Sequence, residues 1–81
     1  MPSSMDSLAM NELARKVAFS EDTVHVLLAG GREIPAPLQW FPRLSHVTPE
    51  QSADWKLIGD GIGIHWPQVD EDIEVERLLA T

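Results

Sequence analysis

His65, Asp70, Glu71 and Asp72 stand close together in the chain, and imidazole with carboxylate is a donor set that divalent metals accept. A metal site needs several ligands that converge on one point. No second histidine lies near His65, the chain has no cysteine, and His65 alternates out of step with the acids that follow. The expected arrangement is a strand histidine beside a solvated turn. The same acids could serve as paired carboxylates for general acid–base work. Acids placed just before a helix also favour its dipole by ~0.3–1 kcal/mol each, which accounts for them without chemistry. Gly59-Asp60-Gly61-Ile62-Gly63 has the glycine content of a phosphate loop, but it lacks the following helix and lysine and leads into a strand. The serines fall in the N-terminal stretch or in turns, with no nucleophile motif around them. No catalytic, cofactor-binding or metal-binding residue is assigned, and the chain is expected not to be an enzyme.

The element that must carry His65 and the acids is Ile62–Ile73. Ile62, Ile64 and Trp66 alternate with Gly63 and His65, so three large apolar side chains share one sheet face. Pro67 lacks an amide donor and ends regular pairing. Asp70, Glu71, Asp72 and Glu74 then form an acidic turn into a last helix. Its apolar stripe is Val75, Leu78 and Leu79, with Glu74 as a weak cap and Ile73 stapled onto Leu78.

Upstream, residues 1–12 are expected to be a flexible tail, and residues 13–81 a single α+β domain. Met5, Leu8 and Leu13 could line one edge of a short helix capped by Asp6 or Ser7. From Arg15 the period becomes two. Val17 and Phe19 form a first strand, and Val24, Val26 and Leu28 a second, beyond the polar turn Ser20-Glu21-Asp22. Gly30-Gly31 suits a tight hairpin into a third strand, with Ile34 inward. Pro35 and Pro37 confine that strand to an edge. Trp40 and Phe41 ahead of Pro42 read as an aromatic plug on a single helical turn. Thr48-Pro49-Glu50-Gln51 is a capping box with proline at the first helical position, opening a helix that ends near Trp55. The expected fold is therefore α+β: a small antiparallel sheet of about four strands (a β-meander, a helical insert, then one more strand) with short helices packed on it.

A chain of 81 residues without cysteine has neither disulfides nor thiolate–metal staples. Three tryptophans and two phenylalanines must supply much of its core, and Trp40, Trp55 and Trp66 are all expected there. Dimerisation is another remedy for so small a domain. No apolar run reaches the ~20 residues of a membrane span, and no basic-then-apolar leader opens the chain. The net charge of −7 includes five acids and one base within Asp70–Arg77. Such a surface repels phosphate, so direct nucleic-acid binding is not expected.

Trp40-Phe41-Pro42-Arg43-Leu44, Thr48-Pro49-Glu50-Gln51 and Gly63-Ile64-His65-Trp66-Pro67, followed by Asp70-Glu71-Asp72-Ile73, together form a pattern. From about Arg15 to Leu79 the chain resembles the bacterial domain-of-unknown-function family DUF2442. The resemblance implies a small cytoplasmic α+β protein, often encoded beside another small protein in a toxin–antitoxin-like arrangement. No catalytic residue is carried over from the resemblance, and no cofactor is expected. Combined with the charge asymmetry, the resemblance leads to the expectation of a protein-interaction domain, the antitoxin-like partner of a small basic protein encoded nearby. Its partner-binding residues would be Arg43, Asp70, Glu71, Asp72, Glu74 and Glu76. The alternatives are a stand-alone small-ligand or metal-binding domain and an enzyme of unknown type.

Overall fold

Alternation in Val24, Val26 and Leu28 makes the second strand the natural centre of a sheet, and the computed structural model, which describes residues 8–80, builds one around it. Strands β1 (Ala14–Phe19), β2 (Thr23–Leu28) and β3 (Glu33–Pro37) pair antiparallel in chain order. The buried residues of β2 and β3 are those the alternation selects: Val24, Val26, Leu28, Ile34 and Ala36. A register shift between Ala14 and Lys16 inserts one residue into β1. That bulge turns both Ala14 and the later Val17 and Phe19 toward the core despite their odd spacing. Gly31, at φ 95°, supplies the left-handed residue that the β2–β3 turn needs. The prolines of β3 sit on an outer strand, where a missing amide breaks no ladder.

The second half of the chain forms another sheet. Strands β4 (Lys56–Ile58), β5 (Gly63–Trp66) and β6 (Glu71–Glu74) also pair antiparallel in order. The α+β class is confirmed, while the expected single sheet of about four strands is corrected to two sheets of three. Two strands escaped the pattern for different reasons. β4 has three residues, too few to show a period. β6 buries only Ile73 and is otherwise acidic, so its composition reads as a turn. The turn is Pro67–Asp70, and Glu71–Glu74 pairs with β5 before the chain passes directly into helix α2 (Val75–Ala80). Glu74 is thus the last residue of a strand, and Ile73 and Leu78 are both buried in the core.

The capping box forms as expected around helix α1 (Pro49–Ala53). The Thr48 hydroxyl accepts from the Gln51 amide at 3.1 Å, and the Gln51 side chain accepts from the Thr48 amide at 3.0 Å. The helix stops before Trp55. Two one-turn 3-10 helices, Leu38–Trp40 and Pro42–Leu44, plug one side of the core with Leu38 and Leu44. Phe41 packs partly buried beside them, whereas Trp40 is 50% exposed and not the core residue expected. In so short a turn only some side chains can point inward, and Leu38 and Phe41 take those places. Met5 and its caps Asp6 and Ser7 lie outside the described residues. From the remainder of that stretch, Leu8 packs on the core, Met10–Glu12 form a 3-10 turn and the Asn11 carbonyl accepts from Gly30.

Trp66 joins the two sheets. It is fully buried, meets Phe19 of β1 edge-to-face at 6.0 Å and 84°, and donates its indole N–H to the Ser52 carbonyl at 3.1 Å. The sheets also meet where the Ala14 amide donates to the Gly61 carbonyl at 2.7 Å. Gly61 stands at φ 116°, and a Cβ there would overlap the backbone of Ala14. Trp66→Ala removes a large buried ring and should lower unfolding free energy by ~3–5 kcal/mol, read from the urea midpoint. Gly61→Ala should cost ~1–3 kcal/mol through backbone strain alone. A Gly61→Ala variant as stable as the wild type would mean that Gly61 neither holds its positive φ nor docks on β1.

Candidate functional site

Period two along β6 divides the acidic run between two faces. The register sets His65 opposite Asp72 and Gly63 opposite Glu74, while Ile64 faces Ile73 and Trp66 faces Glu71. Asp72 and Glu74 therefore lie on the outer face of the sheet, and Glu71 lies on the face of Ile73. His65 does not point away from the acids, as its spacing suggested. The hairpin folds Asp72 back against it, and His65 Nδ1 is bonded to Asp72 Oδ1. Next to a carboxylate, which can only accept, Nδ1 is the donor.

The other expected partner-binding residues are each engaged separately. Arg43 donates from Nη1 to the Asp70 carbonyl at 2.7 Å, with the Asp70 carboxylate further off at 3.8 Å. Both side chains are mostly exposed. Glu71 accepts from the Asp72 amide at 3.1 Å, and Glu74 pairs with Arg77 one helical turn on at 3.0 Å. Glu76 turns inward instead. Its Oε2 is buried with no partner among the described residues, and it lines a groove with Leu8, Ile58, Ile62 and Arg77. The structure thus joins Arg43 to Asp70, spreads Glu71, Asp72 and Glu74 along the edge strand β6 from its turn end to the end opposite Gly63, with Glu71 on the other face, and sends Glu76 elsewhere. Among the described residues no group of three or more His, Cys, Asp or Glu side chains is placed to hold a metal ion.

A second constellation lies on the outer face of the first sheet. His25 alternates with the buried Val24 and Val26, so it faces outward. The β2–β3 hairpin returns Glu33 opposite Leu27, diagonal to His25. Ser20 follows the last residue of β1, just before the two-residue turn Glu21-Asp22, and its amide donates to the Thr23 carbonyl at 2.9 Å. His25 Nε2 lies 2.8 Å from Ser20 Oγ, and His25 Nδ1 lies 2.8 Å from Glu33 Oε2. Sequence reading saw no nucleophile–base set because the three residues belong to no contiguous motif. The available signal was a histidine on the polar face of a strand, with a serine before one hairpin turn and a glutamate after the next.

Asp70 takes φ 53°, the one non-glycine residue with positive φ among the described residues. It ends the Pro67–Asp70 loop, in which the Val69 amide donates to the Trp66 carbonyl at 3.3 Å. Aspartate tolerates this conformation better than most residues. Arg43 holds Asp70 chiefly through the backbone, so Asp70→Gly should keep the contact and leave the melting temperature unchanged or higher. Asp70→Val, β-branched in a left-handed position, should lower stability by ~1–2 kcal/mol. Equal melting of the two variants would remove the strain assigned to this turn.

Comparison with known proteins bears on the fold and the family. Residues 14–81 match the family described as Protein of unknown function (DUF2442). A crystal structure of a protein of unknown function from Rhodospirillum rubrum ATCC 11170, at 2.75 Å resolution, is 26% identical with a TM-score of 0.68, over 84% of this chain and 84% of that one. No curated protein matches. The match over both sheets and both helices places the chain in a family known by its fold and sequence rather than by an activity: it belongs to DUF2442.

Proposed function

We propose that the chain is a protein-interaction domain that meets a basic partner along the β6 edge of its second sheet and the loop before it. The observation that carries this reading is Trp40. A 50% exposed tryptophan in a domain this short of aromatic residues is a large apolar area left in water. Arg43 follows three residues later, oriented by the Asp70 carbonyl. Tryptophan and arginine are the residues most often found at the energetic centre of protein interfaces. Asp70 beside Arg43, with Glu71, Asp72 and Glu74 following along β6, supplies a field that attracts a basic surface. A bacterial cytoplasmic setting, with an antitoxin-like role toward a small basic protein encoded nearby, accords with this charge and with the gene-pair arrangement that the resemblance implies. The role makes no use of the outer face of the first sheet, which is left for a separate activity.

The test takes the neighbouring gene product as partner. Trp40→Ala should speed dissociation, costing ~2 kcal/mol or more of affinity, with little change in folding stability. Neutralising Glu71, Asp72 and Glu74 should instead slow association, since exposed charges act mainly by steering encounter. That second effect should fade as salt approaches physiological strength, where the screening length is ~8 Å. An on-rate independent of salt, together with an unchanged off-rate for Trp40→Ala, would exclude the β6 edge and its loop as the interface.

A further inference from the structure

The constellation on the first sheet has the connectivity that serine hydrolases use: hydroxyl to imidazole to carboxylate, each link at 2.8 Å. Glu33, as a carboxylate, can only accept, so the neutral His25 ring must place its proton on Nδ1. Nε2 is then the lone-pair nitrogen, and the Ser20 hydroxyl is its donor. This is the tautomer a general base needs, and it follows from the carboxylate alone. Backbone pairing fixes all three positions. His25 sits on the central strand, Glu33 opens β3 and Ser20 adjoins the β1–β2 turn.

Beside His25 runs a shallow groove lined by Lys16, Ala18, Leu27 and Trp55, whose largely apolar walls can hold an acyl chain or an aryl alcohol. The amides of Glu21 and Asp22 follow Ser20 directly and donate to no backbone carbonyl among the described residues. The amide after the nucleophile is a recurring oxyanion donor. The Glu21 and Asp22 carboxylates next to Ser20 disfavour anionic substrates.

We propose that Ser20, His25 and Glu33 form an acyl-transfer site for small uncharged carboxylic esters. Ser20 Oγ bonds to the ester carbonyl carbon as its proton passes to His25 Nε2. The tetrahedral oxyanion then collapses, the bond to the alcohol oxygen breaks, and the departing alkoxide takes that proton. Water next attacks the acyl-Ser20 carbonyl while His25 Nε2 accepts its proton and returns it to Ser20 Oγ. Acid and alcohol leave, with no net oxidation. Ser20 and His25 are the catalytic residues, and Glu33 is a positioning residue that fixes the tautomer.

The experiment uses the full chain with p-nitrophenyl acetate and, separately, a fluorophosphonate probe followed by peptide mapping. The expected result is one probe per chain on Ser20, with labelling lost in Ser20→Ala and in His25→Ala. Both variants should hydrolyse the ester at least ~100-fold more slowly, the range a positioned general base contributes. The three side chains lie outside the core, so each variant should melt within ~4 °C of the wild type. Nitrogen NMR should show His25 protonated at Nδ1, and Glu33→Ala should lose that preference together with activity. Ester hydrolysis equal in Ser20→Ala and wild type, or probe on any residue other than Ser20 or on none, would overturn the proposal and reduce the network to a hairpin brace.

Discussion

Everything in this domain depends on how Trp66 is buried. Each three-stranded sheet alone is near the lower limit of what holds together in water, because one apolar face needs a cover. The chain covers each sheet with the other and lets a single indole reach across. Its ring meets Phe19 of β1, and its N–H is satisfied by the carbonyl of Ser52 in α1. Burying that N–H without a partner would offset part of what the ring contributes. The capping box at Thr48 and Gln51 therefore matters beyond its own helix, since it sets the turn that presents Ser52.

That arrangement frees the outer faces for other work, and each outer face carries one histidine–carboxylate pair. On the first sheet the pair is His25 with Glu33, completed by Ser20; on the second it is His65 with Asp72. Both arise from the same geometry. A histidine alternating with core residues must face outward, and a hairpin brings a nearby acid beside it. The pairs differ in what joins them. Beside His25 a turn supplies a hydroxyl. Around His65 the neighbouring acids lie along the strand and loop that lead to Arg43 and the exposed Trp40.

The parts of the fold legible in the sequence were those with a local cause. Val24, Val26 and Leu28 marked β2 by period, Thr48 and Gln51 marked α1 by chemistry, and Pro35 and Pro37 marked an edge by a missing donor. The parts that were not legible had causes at a distance. Glu71–Glu74 is a strand only because β5 is there to pair with it, and its acids hide the one inward residue, Ile73. Trp40 looked like core because tryptophan usually is, but the inward places of its turn belong to Leu38 and Phe41. At the sites, Arg43 could be read equally as an interface anchor, as a donor to carbonyls or as a partner of the Asp70–Glu76 cluster, and only the fold selects the Asp70 carbonyl. Ser20, His25 and Glu33 left only a faint signal in the sequence, because two hairpin registers must be known before the three meet.

The account holds that the two sheets form one cooperative unit through Trp66 rather than two small units in contact. Native-state hydrogen exchange on the central strands measures this directly. The account predicts that the most protected amides of β2 and of β5 exchange through the same global opening, with equal free energies and equal dependence on denaturant. If β5 exchanged through a separate opening of lower free energy while β2 stayed protected, the central claim would be wrong.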